Sequence, residues 1–256
     1  MTPGLALAVV LSSSLPLPCR AEPPPTDPAL DAARLVTDSL VEATTGRYGV
    51  RGLDMVHGSS FVLSEGGFFD CGHFPLLPVA CAVSCRTAPP FSMLRFPPDS
   101  LVLKAWQGDS SACEALMLMM GKDTVRGWLH REALLATSLS EDTGSGLPYV
   151  SAVWDCAMML RSMGRDLPAS GVPFPGAPGL EQFVRDQAPP ARSFLGCMSR
   201  LPGGCRAALA VELPEGRHLG LAVLVDSMES DSLVTERLGL LLGSITAEAS
   251  RADRMP

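Results

Sequence analysis

The last third of the chain sets the strictest limit on its fold. After the segment PPARSFLG (189–196), two apolar runs appear, RAALAVEL (206–213) and LGLAVLVD (219–226), with the polar PEGRH between them. Alternation at period two predicts a pair of half-buried strands joined by a turn. An acidic, serine-rich link follows. Beyond it, Val234, Leu238, Leu241 and Ile245 recur at helical spacing, which predicts a final helix over 233–249. A hairpin followed by an amphipathic helix must bury one sheet face. The fold class expected is therefore α/β, an antiparallel sheet flanked by N- and C-terminal helices, with a largely helical insertion.

Residues 1–27 read as an apolar leader and linker. The run 5–17 followed by Ala21 has the shape of a secretory signal, although no Lys or Arg precedes it and Pro16 and Pro18 interrupt it. An unstructured leader is the alternative reading. The run is too short to cross a bilayer, so no stable membrane span is expected. A single domain is expected over 28–250, with the insertion at 107–167. It opens with a helix over 30–44, ended by Gly46, and continues with strands at 48–58 and 59–64. The proline-rich stretch 68–98 predicts irregular chain with one short strand at 79–83. A strand is expected at 101–106, and a helix over 113–121 behind a capping box of Ser111 and Glu114. Helices at 127–139 and 153–163 follow.

Charge narrows the partners. The formal net charge is -7, the pI is about 5.1, and only 18% of residues are charged. With 20 Lys and Arg and no dense basic cluster, nucleic acid is not an expected partner. The apolar width of the final helix, with Leu238, Leu240, Leu241 and Leu242, predicts contact with a second subunit or another protein. The eight cysteines show no disulfide framework, and a reducing, cytoplasmic setting is expected.

The chemistry-bearing residues are few. Cys71, His73, Cys81 and Cys85 supply three thiols and an imidazole within fifteen residues, a legitimate zinc set by ligand type. Their spacing is unusual, and a zinc-binding or thiol-dependent enzyme is carried as an alternative. His57 and Arg192 are the candidate ligand-binding residues, the second because a loop arginine before a strand can close on a carboxylate or phosphate. His130, in WLHREALL, reads as a surface helix residue. No G-x-S-x-G elbow and neither common glycine-rich nucleotide cradle occurs. No cofactor is predicted.

PPARSFLG, GRHLGLAVLVD and the final helical segment together resemble the closing half of a GAF domain, a small-molecule sensor module. LDAARLVTDSLVEATTGRYGVRGLD (30–54) resembles its opening. The resemblance covers 29–64 and 186–249. It implies a six-stranded antiparallel sheet with helices on one face and a ligand pocket on the other. The function it implies is a non-enzymatic, ligand-sensing or regulatory domain acting through dimer or partner contacts. A scaffold subunit without a small ligand is the second reading.

Overall fold

The computed structural model of the protein describes residues 46–55, 60–64, 67–87, 99–140, 148–170, 193–201, 204–212 and 218–226, with isolated positions beyond them. The expected hairpin is present. Strand β7 (Gly204–Glu212) pairs antiparallel with β8 (His218–Asp226), Gly204 opposite Asp226 and Glu212 opposite His218. β1 (Arg47–Asp54) lies on the other side of β8, and β2 (Ser60–Ser64) flanks β1. β6 (Ser193–Leu201) flanks β7, which gives the antiparallel order β2-β1-β8-β7-β6. A second, three-stranded sheet is formed by β3 (Phe69–Gly72), β4 (Ser138–Leu139) and β5 (Tyr149–Ser151), with β5 in the middle.

The helices are α1 (Leu76–Thr87), α2 (Asp99–Trp106), α3 (Ser110–Met120), α4 (Lys122–Arg131) and α5 (Val153–Ser170). α5 lies across β1, β7 and β8, and α1 packs against α5, α2, α3 and α4. Hence α1 is the axis of the helical part, and every side chain from Leu76 to Cys85 whose burial is described is at most 3% exposed. Two expectations are corrected here. The strands expected at 79–83 and 101–106 are the helices α1 and α2. A helix buried all round loses the polar face that reveals its period, and a short apolar run then looks like a strand. Pro78 does not prevent α1, because it sits in the first turn, where its missing N–H has no partner to lose.

Helix ends follow local chemistry. Asp109, rather than Ser111, caps α3, its carboxylate accepting from the Ala112 amide at 3.0 Å. α4 stops at residue 131, short of the expected 139. Its last carbonyls are closed by Ala133 N–H to His130 O (3.1 Å) and Leu134 N–H to Leu129 O (2.9 Å). This paired closure needs a left-handed residue, and Ala133 supplies it at φ 56° without being glycine.

Arg206 makes the main hydrogen-bonded link between the two sheets. Arg206 on β7 is 1% exposed and uses all five of its N–H groups. Nε and Nη2 donate to Asp70 O (2.8 and 2.6 Å), Nη1 to Cys205 O (3.0 Å) and Val225 O (2.5 Å), and Nη2 to the Asp226 carboxylate (2.5 Å). Arg47 also pairs with Asp226. Both guanidinium groups lie over the Phe69 ring, at 4.5 Å for Arg47 and 5.4 Å for Arg206. Gly49 makes room for that ring, since a Cβ there would stand 2.9 Å from Phe69 Cε2. Arg51 stacks on Trp154, 3.3 Å from the ring centre, and ties β1 to α5.

The fold class expected from the sequence is therefore the one observed, an α/β fold of antiparallel sheet flanked by helices. The six-stranded sheet implied by the GAF resemblance is replaced, among the described residues, by five strands and a separate three-stranded sheet. The helix expected over 30–44 lies outside the described residues. Of the final helix, the described positions Glu236, Gly239, Leu240, Gly243 and Ala247 are helical. No helix among the described residues is long and apolar enough to cross a membrane.

Candidate active site

The residues singled out from the sequence do not form one site. His57 and Arg192 lie outside the described residues. Cys81 and Cys85 share a face of α1, their sulfurs 3.9 Å apart, because a helix brings positions i and i+4 together. Cys71 stands apart on β3, its thiol donating to Phe69 O at 3.6 Å, and His73 lies in the turn after β3. Among the described residues no three His, Cys, Asp or Glu side chains form a metal-holding group. The zinc alternative falls on that separation. Most of the thiols are also poor nucleophiles, and Cys85, which its hydrogen bond with Cys81 holds below the ordinary thiol range, is itself buried. Hydrogen bonding to Cys85 and then burial push Cys81 well above the ordinary thiol range, and burial pushes Cys113 up to about 12. The seven described cysteines carry thiols, not disulfides.

What the fold does bring together lies at the end of α4. The helix, its left-handed turn at Ala133 and strand β4 enclose a cleft of about 420 Å³. Leu129, Leu134, Leu135 and Leu139 give it apolar walls, and Arg126, His130, Thr137 and Ser138 give it polar groups. Leu135 is 77% exposed at this cleft, an unusual position for a large aliphatic side chain. The cleft lining contains no carboxylate. The lining is slightly more polar than apolar, with several polar groups converging on one concavity, as small-molecule sites require for orientation and specificity. Ala133, the only described non-glycine residue with positive φ, sits beside it. Local strain of that kind concentrates at functional sites.

Beneath the cleft lies a buried polar chain. Thr137 Oγ1 donates to Asp155 Oδ2 at 2.8 Å and lies 2.8 Å from Ser151 Oγ. Thr137 has a single hydroxyl proton, and the one Ser151 proton has two acceptors, Thr137 Oγ1 at 2.8 Å and Ala152 O at 3.3 Å, while Cys156 S–H donates to Ser151 at 3.6 Å. Asp155, on the first turn of α5, is 1% exposed. Burial raises its carboxyl above the ordinary carboxylate range, against hydrogen bonds from Thr137 and from the Ala136 and Thr137 amides. Arg126, Thr137 and Ser138 were missed in the sequence, and His130 was read as a surface residue. The one available signal was Asp155, a lone carboxylate inside the apolar run VWDCAMML.

No family model and no curated protein matches the chain. Solved structures do. The TLA-1 extended-spectrum β-lactamase superposes with a TM-score of 0.68 at 12% identity, covering 87% of this chain and 99% of that one. A representative class A β-lactamase from Bacteroides cellulosilyticus gives 0.65 at 14%, covering 89% and 99%. The fold is that of the class A β-lactamases. A third structure, the β-lactamase from Xanthomonas campestris pv. campestris, agrees at 0.65 and 14%, with 86% and 98% covered.

This likeness overturns the GAF reading, and with it the non-enzymatic sensor or regulatory domain and its scaffold alternative. The matched structures over most of the chain are enzymes. At these identities the likeness extends to fold, and the catalytic strings do not follow it. Class A β-lactamases carry S-x-x-K, S-D-N and K-T-G. None of the three occurs in these 256 residues, which include only two lysines, Lys104 and Lys122, and no asparagine. Any serine chemistry here needs another base.

Proposed function

We propose that the protein is a hydrolase of small acyl compounds, acting in the cleft between α4 and β4. The observation that carries this reading is the convergence of His130, Ser138 and Arg126 on one cleft of about 420 Å³. Thr137 also lines the cleft, but its hydroxyl proton is already given to Asp155. Ser138, exposed on β4, is then the accessible hydroxyl. The β-lactamase-like fold supports an acyl-transfer reading without fixing the residues.

In this reading the Ser138 oxygen attacks the substrate carbonyl carbon while His130 accepts the hydroxyl proton. The bond to the leaving oxygen breaks, and His130 returns the proton to it. Water then attacks the acyl-serine ester, and the free acid leaves with Ser138 regenerated. The leucine walls accept an aliphatic acyl group, and Arg126 gives the cleft a cationic side chain for an anionic substituent. The preferred substrate is therefore a short aliphatic ester that also carries a carboxylate. Of the partners expected from the sequence, this reading retains the small-molecule ligand. A cytoplasmic setting agrees with seven described cysteines kept as thiols.

The test is hydrolysis of p-nitrophenyl hexanoate and of p-nitrophenyl adipate monoester by the full chain and by Ser138→Ala and His130→Gln. Loss of turnover in both variants, with preference for the carboxylate-bearing ester lost in Arg126→Gln, is the expected result. Equal rates in wild type and both variants would remove the cleft from the reaction.

A further inference from the structure

Thr137 faces two ways. It lines the cleft, and its hydroxyl is held from behind by Asp155 of α5, across 18 residues of sequence. The backbone holds the same stretch, since the Thr137 amide donates to Leu134 O at 3.4 Å, and Ala136 and Thr137 both lie beside the buried acid. Those residues lie immediately before Ser138, and Leu134 N–H closes α4 just before them. The turn is therefore pinned at both ends. One pin is the closure of α4 around Ala133, and the other is Asp155.

The direction of the hydrogen bonds matters as much as their presence. A carboxylate can only accept, so it fixes the Thr137 proton inward, with Ser151, whose hydroxyl also reaches Ala152 O, and Cys156 standing behind it. With its proton given to Asp155 and Ser151 Oγ 2.8 Å away, the Thr137 hydroxyl is held from the side of α5. The Thr137 amide itself turns back to Leu134 O at 3.4 Å, so the hydroxyl is the main group through which Thr137 engages the acid. Such a group is expensive to bury for packing alone, since a hydrophobic residue of the same size fills the space without the desolvation cost.

We infer that Asp155 is the positioning residue of the cleft, holding the 136–138 turn so that Ser138 is presented to the cleft and Thr137 is withheld from reaction. The inference rests on the cleft being the reactive site, and it adds the element that sets the site's geometry. It assigns a role to a residue that touches no substrate. Misplacing a reacting group by an ångström costs about 100-fold in rate, and the expected effect is on turnover rather than on substrate affinity.

The experiment compares Asp155→Ala, Asp155→Asn and Thr137→Val by two independent readouts. The first is backbone amide exchange at 136–139 and along α1. Asp155→Ala is expected to raise exchange at 136–139 by about tenfold or more while α1 stays protected, and Asp155→Asn, which keeps an acceptor oxygen, to restore part of that protection. The second is ester hydrolysis, where kcat is expected to fall about 100-fold in Asp155→Ala with KM nearly unchanged, and partly to recover in Asp155→Asn. Unchanged exchange at 136–139 in both Asp155→Ala and Thr137→Val overturns the inference. So does a rise that is as large in α1 as in the turn, since that marks a fold-wide role. If Asp155→Ala does not fold, Thr137→Val carries the same comparison. Absence of hydrolysis in the wild-type protein ends the hydrolase reading alone, and the exchange result still decides the role of Asp155.

Discussion

Asp226 and Asp155 are two carboxylates held by hydrogen bonds at junctions between elements, and their surroundings treat them in opposite ways. Burial works to raise the Asp226 carboxyl, but hydrogen bonds and charge from Arg47 and Arg206 hold it below the ordinary range. Burial raises Asp155 as well, and there the hydrogen bonds from Thr137 and two amides do not reverse it. The difference is the arginines. At the sheet junction charge meets charge, every donor of Arg206 is used, and the result is a joint. Under the cleft a carboxylate is kept by neutral donors at an electrostatic cost. A cost retained in a folded protein is a stronger pointer to a working site than an interaction that stabilises it.

The largest expected effect breaks the joint. Arg206→Met should cost about 3 kcal/mol or more in urea unfolding, because Asp70 O and Val225 O lose this donor and Asp226 keeps only Arg47. A loss below about 1 kcal/mol, the scale of an exposed ion pair, would remove the contrast between the two regions.

The next effect sharpens the comparison through pH. A carboxyl lowered in the fold adds stability above its unfolded value, near 3.8 in both cases, and loses it as pH falls through the folded value. A raised carboxyl does the reverse: its contribution is full below the unfolded value and is lost as pH rises through the folded one. Asp226→Asn should therefore be less stable than wild type at neutral pH and converge with it in acid. The deficit is about 1 kcal/mol, since Asp226 is partly solvent-screened. Asp155→Asn should gain on wild type as pH rises above 3.8. Thermal melts between pH 3 and 8 read both slopes, and parallel curves for the two variants would refute the assignment. A gain in stability alongside slower turnover in Asp155→Asn is the trade expected of a positioning residue.

The smallest effect concerns the other pin of the turn. Ala133→Gly relieves a left-handed alanine and adds backbone freedom to the unfolded chain, a net gain of about 0.5 kcal/mol in denaturant melts. A net loss would mean that the Ala133 methyl packs usefully beside the cleft.

How much was legible follows the same physics. β1, β2, β7 and β8 were readable because short runs rich in Val, Leu and Ala were bounded by polar turn segments, and PEGRH marked the hairpin turn. α1 and α2 were not readable. LLPVACAVSC is apolar on every side because helices surround it, and burial on all faces erases the period. The early stop of α4 was hidden by Ala133, since the expected marker for such a closure is glycine. For the site, His130 was visible but isolated in sequence. Its companions Thr137 and Ser138 became neighbours only because α4 stops and turns back. The GAF resemblance rested on RSFLG and the following strands, which are generic to antiparallel sheets with a terminal helix.

The pairing of β1 with β8 also bears on synthesis. Arg47 and Asp226 face each other across 179 residues, and β1 is an inner strand, flanked by β2 and β8. Until residue 226 has left the ribosome, one edge of β1 is open and α5 has no completed sheet to cover. The apolar α1 must wait through that interval with its partners only partly assembled. Contacts this distant slow folding and leave sticky surface exposed while the chain is being made. The nascent protein is thus a natural client for chaperones, and truncation anywhere before β8 should yield aggregates rather than a smaller folded unit.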